Sequence, residues 1–125
     1  MAPDPITEQS IRLLVDKFYT RVREDAVLSP VFENKLAGKW QIHMPRMYAF
    51  WTKVLLGSGE FQSNVFAKHM ALSGIEREQF VRWLALFKET SIEVFGTEGA
   101  QASIQVAERI AASLQLGYFG EVAVQ

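Results

Sequence analysis

Apolar residues recur along this chain at α-helical spacing almost from end to end, and no useful stretch shows the period of two that marks a half-buried strand. Stripes of that kind are buried only by packing helix on helix, so the fold class read from the sequence is all-α, with four substantial helices and short, partly irregular connections. From Thr7, a candidate N-cap, Ile11, Leu14, Val15, Phe18 and Val22 fall on one face, with Tyr19 on its edge. Pro30 suits the first turn of a short helix carrying Val31, Phe32 and Leu36, and Gly38 suits its stop. A third helix is read at about 39–56, with Trp40, His43, Met44, Met47, Phe50, Trp51, Val54 and Leu55 inward and Gly57 as its C-terminal signal. Residues 61–74 support only a short helical turn near 65–70. A long helix at 76–95 turns Phe80, Trp83, Leu84, Phe87, Val94 and Phe95 inward. Gly96 and Gly99 separate it from a last helix at about 100–116, which buries Ile104, Ala107, Ile110, Ala111 and Leu114 and ends at Gly117.

The 125 residues are one domain's worth, read as a single domain over 1–125, and 49% hydrophobic against 22% charged residues exclude a disordered chain. A net charge of −1 argues against a general electrostatic grip on nucleic acid or acidic lipid. The longest apolar runs, 47–51 and 83–87, are far short of the roughly 20 residues of a membrane span. The N-terminal MAPDPITEQS has acidic residues where a signal peptide needs a basic start and an apolar stretch, so the expectation is a cytoplasmic, unprocessed chain. The absence of cysteine removes disulfides, thiolate metal sites and iron–sulfur clusters. Aromatic residues make up 12% of the chain, including nine Phe, so the core either packs on itself or lines a large flat apolar ligand.

Only two histidines are present, and both stand in apolar surroundings. His43 lies in the stripe of the third helix, and His69 in the irregular segment VFAKHMAL. A neutral imidazole has one nitrogen that donates and one that accepts, and aromatic or Met neighbours do little for either. Two readings stand at this point. Both are core histidines bonded to backbone carbonyls or water, or at least one ligates a metal. Two His and no Cys cannot close a structural zinc site, and no HExxH pair occurs. A metal would therefore come in a cofactor that brings most of its own ligands, and haem iron with one axial His fits that description.

The segments FYTRVREDAVLSPVFE, WQIHMPRMYAFWTKVLLGSGEF, KHMAL and FVRWLALFKET, in this order and at this spacing, resemble the truncated haemoglobins of group III from about residue 11 to residue 95. The resemblance implies a shortened globin fold, a two-over-two helical sandwich around haem b (iron protoporphyrin IX). It implies His69 as the proximal iron ligand, Tyr19, His43 and Trp83 on the distal side, and Phe32 pressing on the macrocycle. Their O–H and N–H groups are donors that suit a bound ligand taking up negative charge. Met44 and Met47 would line the cofactor, and Arg46 and Lys68 are the cations placed to meet its propionates.

Two departures stand out. Pro45 lacks the N–H that would bond back to residue 41, at a cost of about 3 kcal/mol inside a straight helix, so the turn carrying His43 is expected to be kinked or loosened. Many relatives have a Pro-containing turn before the proximal helix where this chain has FQSNVF, with Asn64 as a substitute cap. The function implied is reversible binding of O2, NO or CO at a pentacoordinate iron. Peroxidase and nitric-oxide-detoxifying activities are alternatives, and a cofactor-free helical interaction module is a third. No Asp or Glu lies within four residues of His69 to strengthen a peroxidase-type proximal imidazole, and no flavin or nicotinamide fingerprint is present, so turnover would need a separate reductase.

Overall fold

Five α-helices account for most of the residues described by the computed structural model, which are 5–57 and 76–119, with side chains described as far as residue 112. They are α1 (Glu8–Glu24), α2 (Ser29–Leu36), α3 (Trp40–Leu56), α4 (Arg77–Gly99) and α5 (Gln101–Phe119). There is no strand among the described residues, as the periodicity requires. No helix among them is long and apolar enough to cross a membrane. The expected turn near 65–70 lies outside the described residues, and so does the Asn64 cap.

Each helix start follows from local chemistry. Thr7 caps α1 reciprocally, its hydroxyl accepting from the Ser10 N–H at 3.1 Å while the Thr7 N–H donates to Ser10 Oγ at 2.8 Å. α2 opens with Ser29 and Pro30, where a missing N–H costs nothing, and Gly38 after its end adopts φ +76°, a conformation an L side chain resists. α3 closes at Gly57, where a Cβ would stand 2.8 Å from the Lys53 carbonyl oxygen and could not be accommodated without movement. Glu76 and Gln79 form a second reciprocal cap at the head of α4.

α3 runs through Pro45 as one helix over the expected span, and the limits of two later helices need correction. Gln41 and Pro45 both lie on the exposed face, so the carbonyl deprived of its N–H partner faces water and the ring meets no core. Helical residues resume beyond Phe95, although Gly96, at φ 79° and ψ 168°, still interrupts the helix where a glycine was expected to stop it. α5 runs past Gly117 to Phe119, since a lone Gly costs a helix only about 1 kcal/mol and no proline follows.

α1 is the central element, packed against α2, α3 and α4, while α4 also receives α5. Phe18 of α1 and Phe87 of α4 meet edge-on at 5.1 Å in the middle of the core, and Trp51 of α3 stacks on Phe87 at 4.8 Å. Fully buried Thr90 donates to the Leu86 carbonyl at 2.7 Å and accepts from Arg21 Nη1 at 3.0 Å, so one hydroxyl is satisfied from two helices.

The turn between α1 and α2 is held by Asp25. Its Oδ2 accepts from the N–H groups of Val27 and Leu28 at 3.0 Å, and its Oδ1 accepts from Arg82 Nε and Nη2 at 2.8 and 2.6 Å. The bonded Arg82 guanidinium, followed by those backbone N–H groups, holds the Asp25 carboxyl below its ordinary range. The folded chain therefore releases this proton at lower pH than the unfolded chain does. The contribution is fully present above the unfolded carboxylate pKa of about 3.9 and fades as pH falls toward the folded value. Asp25→Asn is expected to lower stability at pH 7 and to flatten the loss of stability below pH 4. Urea unfolding at pH 7 and pH 3 reads both effects, and an equal deficit at the two values would exclude this role.

Candidate functional site

The side chains expected on the ligand side of a cofactor come from α1, α2, α3 and α4. Tyr19 sits one residue after the core anchor Phe18, which turns it toward α3 at only 3% exposure. Its ring meets His43 edge-on at 5.0 Å, Trp40 at 5.8 Å and Phe32 at 6.2 Å. Burial alone raises its phenol pKa above the ordinary value, so at neutral pH it is a neutral O–H donor.

Trp83, at 8% exposure on α4, lies flat against Phe87 at 5.9 Å and meets Phe18 edge-on at 5.7 Å. Phe18 also touches Tyr19 at 5.0 Å, so one phenylalanine joins the Tyr19 and Trp83 rings. Trp83 Nε1 is buried and has no hydrogen-bond partner among the described residues. A buried indole N–H left in that state costs about 1–3 kcal/mol, and such a cost is met when a ligand acceptor occupies the site.

Of the other expected lining residues, Phe32 and Met47 are buried, while His43 and Met44 are half-buried on the inner side of α3. Arg46 is exposed on the same helix, where a guanidinium is free of desolvation cost. Lys68 and His69 lie outside the described residues. The structure thus gathers Tyr19, Phe32 and His43 in one ring cluster and connects Trp83 to it through Phe18.

The ring cluster also contains a residue that the sequence reading did not assign to the site. Trp40 was read only as part of an apolar stripe, yet its ring meets both Tyr19 and His43, which follows it by three residues. That spacing on one helix face was the available signal. Outside the ring cluster, buried Thr90, Ser91 and Ser103 escaped the sequence reading because small polar residues do not register as apolar positions, although Thr90 and Ser91 stand three and four residues beyond Phe87.

An indole N–H without a partner among the described residues, a buried phenol and a half-buried imidazole among packed aromatic rings form a donor set that fits a large flat cofactor carrying a small ligand. Comparison with known proteins bears on that fit. No family model matches the chain. The chain is 33% identical over 115 residues to the group 3 truncated haemoglobin ctb of Campylobacter jejuni, covering 90% of this chain and 91% of that protein. The crystal structure of a group III truncated haemoglobin from Campylobacter jejuni superposes with a TM-score of 0.82 at 31% identity, covering 95% of this chain and 96% of that one. The helices described above are therefore arranged in the shortened globin fold. On this identity and coverage the chain belongs to the truncated haemoglobins of group III, with the globin-type haem-binding function of that family.

Proposed function

We propose that this protein holds haem b through His69 and reversibly binds O2 and other diatomic ligands such as NO and CO, with residues 1–125 forming one truncated-globin domain. The observation that carries the reading is the buried Trp83 Nε1, without a partner among the described residues, set in the same aromatic cluster as the buried Tyr19. Haem, when bound, would supply an iron centre that takes up the small ligand. The chain's part is to enclose that ligand and to present hydrogen-bond donors to it.

The donors are not equivalent. Tyr19 and Trp83 are each fixed by ring packing against Phe18 and are deeply buried, so little rotamer freedom remains to be lost when they bind an acceptor. Their hydrogen bonds act where water is excluded and electrostatic interactions are strong. His43 is half-buried near the start of α3 and serves as a gate. Phe32 presses the cofactor from the α2 side, Met44 and Met47 line it, and Arg46 and Lys68 meet its propionates.

Tyr19→Phe and Trp83→Phe are each expected to remove a hydrogen bond worth about 1–3 kcal/mol, which speeds O2 dissociation roughly five- to a hundred-fold. His43→Leu is expected to change association more than dissociation and to leave the resting spectrum as it was. Stopped-flow and flash-photolysis kinetics on the three variants separate the roles. Wild-type dissociation rates in both Tyr19→Phe and Trp83→Phe would remove the donors from the account. Conversion of a low-spin resting spectrum to high-spin in His43→Leu would make that residue a sixth ligand instead of a gate.

A further inference from the structure

The Trp40 indole occupies a position that the reading above leaves unused. As the first residue of α3 it meets Tyr19 edge-on at 5.8 Å and His43 edge-on at 5.7 Å, so it packs against two of the three proposed donors. Its Nε1 donates at 3.0 Å to Glu33 Oε1 on α2. The same oxygen accepts from Arg23 Nε on α1 at 3.1 Å, and the Arg23 guanidinium carbon lies 4.6 Å from the centroid of the Trp40 ring. Three helices therefore converge on one carboxylate oxygen. The indole is tethered at its polar edge, carries a cation over its ring, and abuts the phenol and the imidazole.

The Arg23–Glu33 pair is open to solvent, with side chains 50% and 36% exposed, and an exposed pair of this kind adds little stability. Its geometric effect is larger than its energetic one. A charge-assisted hydrogen bond to a buried indole fixes where that ring sits, and the ring sits against His43. Trp40 has two rotatable side-chain angles, and the Glu33 tether together with the Tyr19 contact defines both.

We propose that Glu33 is a positioning residue for His43, acting through the Trp40 indole. With Glu33 holding Trp40 Nε1, the indole edge keeps the imidazole turned inward. Without that bond the ring relaxes, His43 swings outward and diatomic ligands reach the pocket faster. The effect on ligand access rests on the proposed diatomic-ligand function, whereas the coupling of Glu33 to the His43 ring does not.

Three single variants of the full chain test this: Glu33→Leu removes the acceptor, Glu33→Gln keeps a carbonyl acceptor while dropping the charge, and Trp40→Phe removes the donor. The CO association rate after flash photolysis is expected to rise roughly three- to tenfold in Glu33→Leu and Trp40→Phe and to stay within about twofold of wild type in Glu33→Gln, the effect of one lost hydrogen bond. The Glu33→Leu/Trp40→Phe double variant is expected to be no faster than Trp40→Phe alone, because both act on one interaction. NMR of the isotope-labelled chain, with and without added haem, is expected to show the His43 ring resonances displaced in Glu33→Leu and restored in Glu33→Gln.

A drop in melting temperature with unmoved His43 resonances and wild-type rates would reduce Glu33 to a structural clip and overturn the proposal. Additive effects in the double variant would overturn it as well. Should the wild-type chain fail to take up haem, the diatomic-ligand reading falls. The His43 resonances of the haem-free chain then decide the coupling alone, displaced signals upholding it and unmoved ones refuting it.

Discussion

His69→Ala is expected to abolish stable haem retention, the largest single effect in this account. The chain has two imidazoles and no thiol, so an axial bond to iron from nitrogen or sulfur of high affinity has few candidate donors. His43 stands in the ring cluster beside Tyr19 and Trp40, on the side assigned to the small ligand. Group III membership implies His69 as the residue that would hold the iron, the role proposed above. Without the bond, haem would be held by apolar contact and propionate pairing alone. It should be lost on desalting or transferred to an apo-globin acceptor, while wild type keeps it under the same treatment. Full retention with an unchanged ferrous spectrum would show that His69 is not the ligand.

Phe87→Ala is expected to carry the second-largest effect, a loss of about 3–5 kcal/mol of folding stability. Phe87 is 1% exposed and meets the rings of Phe18, Trp51 and Trp83 at 5.1, 4.8 and 5.9 Å. Rings from α1, α3 and its own helix α4 lean on it, so truncation opens a cavity whose walls are held apart by stiff rings that collapse poorly. The same cavity removes the flat support under Trp83, so the variant should also release bound oxygen faster. Urea unfolding of the haem-free chain measures the first effect, and a difference below about 1 kcal/mol would mean that the site relaxes as a flexible core does.

The helices that carry the site were legible because their stripes are long and strongly apolar. Ile11 to Val22, Trp40 to Leu55 and Phe80 to Phe95 each repeat at helical spacing, and punctuation by Thr7, Pro30, Gly38 and Gly57 marked their limits within a residue or two. Legibility failed where the deciding interaction joins distant residues. Nothing in the local pattern says that Asp25 accepts from Arg82, 57 positions away, or that Glu33 accepts from both Arg23 and Trp40. Pro45 was legible: its cost in a helix interior and its place opposite the apolar stripe both follow from the sequence, and Gln41 and Pro45 do lie on the exposed face of a continuous α3.

The candidate site divides in the same way. Tyr19, His43 and Trp83 could be named from residue type and order, yet only the fold shows that Phe18 touches both Tyr19 and Trp83 and that Trp40 is wedged against His43. That the buried indole N–H of Trp83 has no partner among the described residues is likewise a three-dimensional fact, since spacing along a helix does not report what lies opposite a donor.

As proposed above, this chain would enclose one haem held by a single protein ligand, with Tyr19 and Trp83 as donors to the bound small ligand. Absorption and resonance Raman spectra of the purified chain reconstituted with haem test it most directly. The account predicts a Soret band that saturates at one haem per chain, a five-coordinate high-spin ferrous state with an iron–histidine stretch, and conversion to a six-coordinate species on adding CO. Absence of a saturable Soret band, or a six-coordinate low-spin bis-histidine spectrum in the unliganded ferrous protein, would contradict it.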